Sequence, residues 1–194
     1  MTGARIPKAT GLQARLAVWA SRRKLGPEAA DSAAIYAQNP RLLRWFALYD
    51  QAVTKSRHVP EKLHKLAELK AATVVECEFC IDIGSALARE SGLTDAQLLA
   101  LHDPEPSGLF DADELLVIGY ARSMTLTPPE VDDATVAALR ARFGDAGVFE
   151  LTYAIAWENV RARTNSALAL EPGGFSTGQV CALPATAHAP ATAA

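Results

Sequence analysis

What most constrains this chain is its punctuation. Gly and Pro fall between segments whose apolar residues recur at helical spacing, and β-branched runs are short. A chain divided in this way buries its apolar stripes by packing helix on helix, so an all-α domain is expected. The spacing predicts helices over 12–24, from Pro27 to about Gln38, and from Pro40 to about Lys55. Pro60 opens a fourth helix, carrying Leu63, Leu66 and Leu69, that runs to about Val75. Cys77 begins a fifth, ended near Gly92. Thr94 and Gln97 form a capping-box pair for a short helix to about Leu101. Asp103 to Ser107 reads as a Pro-broken loop. Further helices are expected from Asp111 to before Pro128, from Asp132 or Asp133 to Gly144, and from about Ala146 to Leu170.

The 194 residues are enough for one domain with its own core, and 1–181 are read as that domain. Residues 182–194 are low in complexity and poor in bulky apolar side chains, and are expected to be a disordered tail. A net charge of −3 makes no global case for nucleic acid or an anionic membrane surface as partner. The locally basic start (Arg5, Lys8, Arg15, Arg22, Arg23, Lys24) reads as a solvated helix face with a loose terminus. No secretory leader and no membrane-length apolar run is visible, so a cytoplasmic location is expected.

The chain has three cysteines, Cys77, Cys80 and Cys181. An odd count with two of them three residues apart is unlike a secreted disulfide framework. At a helix N-terminus the Cys77/Cys80 spacing brings the sulfurs within reach of each other. The unpaired N–H groups and helix dipole there favour a thiolate. A thiolate attacks a peroxide, and a neighbouring thiol traps the sulfenic acid as a disulfide. Glu76, Glu78 and Asp82 oppose that thiolate unless one of them shuttles protons. Two other readings stay open on spacing alone, a metal site and small core filler. Zinc needs two more ligands, and His58, His64, His102, Cys181 and His188 provide no second close pair.

The stretch from Leu63 to Leu101, with Glu76-Cys77-Glu78-Phe79-Cys80 followed by Ser91-Gly92-Leu93-Thr94, resembles the carboxymuconolactone decarboxylase superfamily, and within it the alkylhydroperoxidase D-like members. The resemblance implies a helical bundle with the Cys-x-x-Cys at a helix N-terminus, homo-oligomers, and thiol-dependent peroxidase activity without a cofactor or metal. It implies a hydroperoxide or small organic substrate and a dithiol reductant as partners. By position, Cys80 matches the peroxide-attacking cysteine and Cys77 its resolving partner. The family's histidine, four residues after the second cysteine, is replaced by Gly84. Its glutamate, twelve before the first, is replaced by Lys65. Glu68, one helical turn beyond Lys65, is the expected replacement base, with Ser85 a weaker auxiliary.

Glu158, Arg161 and Asn165 fall at helical spacing in the last helix. They are read either as a polar patch facing the dithiol or a subunit interface, or, preferred as the plainer account, as a salt-bridged solvated face. Cys181 is read as a lone thiol in a docked segment before a third redox partner, and His102 as a helix C-terminal cap. Trp19 and Trp45 are assigned to core or oligomer interface. The resulting expectation is a dithiol peroxidase or oxidoreductase cycling through Cys77 and Cys80. The alternatives are a lyase or decarboxylase-type enzyme using Glu68 and Glu158, and a non-catalytic redox-sensing oligomer.

Overall fold

A computed structural model describes residues 3–55 and 57–182. Among them the chain is helical, with no strand. The helices are α1 (Leu12–Leu25), α2 (Ala30–Tyr36), α3 (Pro40–Lys55), α4 (Glu61–Val75), α5 (Glu78–Glu90), α6 (Asp95–Ala100), α7 (Pro104–Ser107), α8 (Ala112–Thr125) and α9 (Asp133–Ala167). The expected all-α architecture is therefore the observed one.

The organising element is α4, which packs against α5, α8 and α9. From Leu63 to Thr73 nearly every side chain is buried, the polar His64, Glu68 and Lys70 included. A helix buried on all sides must partner its charges. Lys70 Nζ donates to the Leu101 carbonyl at 2.8 Å, closing the end of α6. Glu150 of α9 accepts the His58 and Val59 amides at 2.8 and 3.2 Å, fixing the chain's entry into α4. α3 is two-faced: one side is turned inward, while Leu42, Trp45 and Leu48 stand 64%, 64% and 57% exposed. Trp19 of α1 is exposed as well, so neither tryptophan belongs to this chain's core.

Several local expectations change. Residues 103–107 form a helical turn rather than a loop, because Pro104 suits a first turn and the Ser107 hydroxyl closes back on its carbonyl at 2.6 Å. The two last predicted helices follow one another directly across Gly144, whose φ of 67° breaks the direction. The N-terminal segment is tied down: the Arg5 amide donates to the Leu168 carbonyl at 2.8 Å, and Lys8 pairs with Asp31 at 2.7 Å.

After α9 the chain returns along α5. The Asp82 carboxylate accepts the amides of Gly174, Phe175 and Ser176 at 2.8, 3.0 and 2.8 Å. Further on, the Ala182 amide donates to Ser85 at 3.0 Å, and its carbonyl meets His102 Nε2 at 2.8 Å. His102 thus holds this returning strap rather than capping a helix. The expected tail lies outside the described residues except for Ala182, which is buried. Asp82→Ala is expected to cost about 2 kcal/mol, because three amides lose a charged acceptor. Faster hydrogen exchange at 174–176, with Asp82→Asn intermediate, checks it.

Candidate active site

The dithiol sits at the corner between α4 and α5. Glu76 ends α4 in the left-handed conformation, with φ 58°, and this turns the chain so that Cys77 becomes the N-cap of α5. Its sulfur accepts the Cys80 amide at 3.3 Å, a position usually held by Ser, Thr or Asp oxygen. The Cys80 thiol in turn lies 2.7 Å from Cys77 Sγ. Both cysteines are buried, at 2% and 5% exposure, and carry no disulfide.

The two sulfurs titrate in opposite directions. The Cys80 thiol and amide and the Ser166 hydroxyl direct hydrogen bonds at Cys77, which lower its pKa in spite of burial. Donation to Cys77, burial and the charge of Glu158 push Cys80 far upward. The contact between them thus favours loss of the proton from Cys77 before Cys80.

A cavity of about 390 Å³ opens on Cys80. Its walls are mostly apolar, from Ala17, Ala33, Phe46, Leu69, Phe79 and Phe175 among others. Phe175, carried by the strap that Asp82 anchors, meets Phe79 edge-on with centroids 6.0 Å apart. Gly84 also lines the cavity, and a Cβ there would come within 3.0 Å of Leu69 Cδ1. Position 84, where the resemblance implies a histidine, is thus packed against α4.

The polar end is built chiefly by α9. Asn165 Nδ2 donates to Cys80 Sγ at 3.3 Å, and Tyr36 OH donates to Asn165 Oδ1 at 2.8 Å. Burial raises the Tyr36 pKa, so the hydroxyl stays a donor. Arg161 spans three carboxylates: Nε to Glu158 at 2.8 Å, Nη1 to Asp50 at 2.9 Å and Nη2 to Glu68 at 2.8 Å.

The two buried glutamates differ. Burial pushes Glu68 upward, but Arg161, His64 and Lys65 outweigh it and hold the carboxyl well below its usual range. Lys65 Nζ lies 2.7 Å from it. Burial dominates at Glu158 and, with the neighbouring Glu68 charge, raises its pKa against the pull of Arg161. Its Oε1 has no hydrogen-bond partner.

Of the residues expected from sequence, Cys80 and Glu68 line the cavity with Glu158, Arg161 and Asn165. The polar face of α9 is therefore buried at the dithiol, and its Glu158–Arg161 salt bridge is not on a solvated face. Cys77 touches Cys80 without being part of the lining. Ser85 is not part of it either, and its hydroxyl is engaged by Cys181 at 3.5 Å and the Ala182 amide. Cys181 also lies 3.6 Å from the Ile81 carbonyl, on a face of α5 roughly a third of a turn from Cys80 and Gly84. Asp82 holds the strap, while Glu76 and Glu78 are exposed. Sequence reasoning did not single out Tyr36, Asp50 or Phe175. Among the described residues, no three His, Cys, Asp or Glu side chains converge as metal ligands.

Comparison with known proteins bears on the same region. The uncharacterized protein YnjA of Escherichia coli (strain K12) is 37% identical over 113 residues, which are 58% of this chain and 62% of that protein. The crystal structure of the apo debrominase Bmp8 superposes with a TM-score of 0.71 at 15% identity, covering 89% of this chain and 92% of that one. A cysteine-to-alanine variant of Bmp8 in complex with 2,3,4-tribromopyrrole gives the same score at 17% identity, covering 87% and 93%. At such identities these two establish the shared helical fold. Residues 40–107, from α3 through the dithiol to α7, match the carboxymuconolactone decarboxylase family.

Proposed function

We propose that this protein is a dithiol oxidoreductase that reduces an organic hydroperoxide at Cys80, with Cys77 as the resolving thiol. The observation that carries the reading is the placement of a paired, buried dithiol with only its second sulfur on a largely apolar cavity. The cavity holds an organic body, and the reacting oxygen meets sulfur at its polar end.

The cycle balances without a bound cofactor. Cys80 sulfur bonds to one peroxide oxygen, the O–O bond breaks, and the leaving oxygen takes a proton to become an alcohol. Cys80 is then a sulfenic acid. The Cys77 thiol attacks that sulfur, the S–S bond forms, and the oxygen leaves as water with the proton that Cys77 gives up. An external dithiol supplies two electrons and two protons to restore the pair. Asn165 holds the Cys80 sulfur in place, and Tyr36 orients Asn165.

The test is hydroperoxide consumption with a dithiol reductant, comparing an alkyl aryl hydroperoxide with hydrogen peroxide. The expected result is reductant-dependent turnover, faster on the organic substrate. If neither hydroperoxide is consumed at a rate above the reductant alone, the reading is wrong.

A further inference from the structure

We propose that Glu158 is the proton-carrying group of this dithiol, its unpartnered Oε1 taking the proton of Cys80 and returning it to the leaving oxygen. The inference rests on the functional reading above and deepens it by filling the place that Lys65 and Gly84 leave empty.

The geometry separates the two oxygens of this carboxyl. Oε2 is fixed by Arg161 Nε at 2.8 Å, while Oε1 is buried and unbonded. A buried acceptor without a partner is expensive, by about 1–3 kcal/mol, so a site that keeps one has a use for it. Glu158 lines the cavity with Cys80, and the two groups are near enough to shift each other's titration.

The other groups around it do not fit the role. Glu68, on α4, is paired with Arg161 and Lys65 and is held ionised too firmly to carry a proton. Tyr36, on α2, is committed as a donor to Asn165. Asp50, on α3, is bound by Arg161, Lys24 and Trp157 Nε1. Cys77, the N-cap of α5, is hydrogen-bonded to Cys80 in the resting pair and is consumed in the second step. Arg161 remains the cation that all three carboxylates share.

Protons then balance across the first step. The Cys80 thiol gives its proton to the Glu158 carboxylate, and the Cys80 sulfur attacks the peroxide oxygen. The departing alkoxide takes the same proton from Glu158, so the carboxylate is regenerated. Activity therefore needs Glu158 ionised at the start. Since its pKa is raised, turnover should fall as the medium is acidified, through a limb above the ordinary glutamate value of about 4.3.

Glu158→Gln is expected to slow hydroperoxide turnover about 100-fold and to abolish that limb, with Glu158→Asp restoring the limb and part of the rate. A second readout needs no substrate. In a protein with Cys80 as its sole cysteine (Cys77→Ser, Cys181→Ser), Glu158→Gln should make Cys80 a stronger acid, because a neighbouring negative charge has gone. A thiol that becomes more acidic while the enzyme becomes slower is not the result of mere structural damage. An unchanged acid limb in Glu158→Gln, or an unchanged Cys80 titration, overturns the proposal. If the wild-type protein consumes no hydroperoxide, the functional reading fails, and the thiol titration still decides whether Glu158 acts on Cys80.

Discussion

Arg161→Met is expected to destabilise the protein by about 3–5 kcal/mol at neutral pH, because it strands three carboxylates around a buried cation site. The pH dependence identifies the cause. In the wild type, Glu68 is held below its unfolded pKa, so its stabilisation is complete above about pH 4.3 and is lost as pH falls through the lower folded value. Without the guanidinium, the largest influence left on Glu68 is burial, which pushes its pKa up. The variant's deficit should then grow with rising pH and shrink under acid, as the stranded carboxyls protonate. Thermal unfolding of both proteins at pH 4 and pH 8 checks this, and an equal gap in Tm at the two values would contradict it. Methionine keeps the volume and apolar stem, so lost packing is a minor part of the effect.

Loss of the sulfur that faces the cavity should have the largest catalytic effect. Cys80→Ser is expected to reduce hydroperoxide consumption to the uncatalysed level, since a hydroxyl there is neither an effective nucleophile nor redox-active. Cys77→Ser should behave differently. It keeps the attacking sulfur and a capping side chain for α5, but it has no second thiol to trap the sulfenic acid. One oxidation per chain should therefore occur, followed by stalling and over-oxidation with excess peroxide. Reductant-dependent turnover in steady-state and single-turnover assays separates the two variants.

The electrostatics and the access of the pair point at different sulfurs, and this shapes the proposed chemistry. Cys77 is the stronger acid because it receives the hydrogen bonds at the start of α5. Cys80 is the sulfur the cavity reaches. In the proposed cycle the stronger acid is the resolving residue, and a proton must leave Cys80 before it can attack. The proposed cycle needs a proton acceptor near Cys80, which neither Lys65 nor Gly84 provides.

The local elements were readable because their boundaries are written in short-range chemistry. Pro40 and the apolar spacing after it define α3, and the capping pair Thr94 and Gln97 defines α6. Cys77 at the N-cap follows from the spacing and from Pro60 starting the preceding helix. The position of the polar face of α9 was not readable in the same way. Glu158, Arg161 and Asn165 share a face by periodicity, but periodicity does not say whether that face meets water or α4 and α5. A usable signal was present: Ala154, Ile155 and Ala162 lie on the same buried stripe as Glu158 and Asn165. Polar residues in register with an apolar stripe point inward.

Tyr36, Asp50 and Phe175 had no comparable signal. Each reaches the site through a contact across many residues of sequence, such as Tyr36 to Asn165 and Asp50 to Arg161. The role of Asp82 was hidden for the same reason. It stands two residues after Cys80, yet its carboxylate serves the strap that carries Phe175 and not the dithiol. Ser85 was attractive by proximity in sequence, but α5 turns it toward the returning chain.

Mass spectrometry of Cys77→Ser and Cys80→Ser proteins, each treated with one equivalent of organic hydroperoxide, tests the central claim most directly. The account predicts one added oxygen on Cys80 in the first protein and none on Cys77 in the second. Oxygen appearing on Cys77, or on neither cysteine, would contradict it.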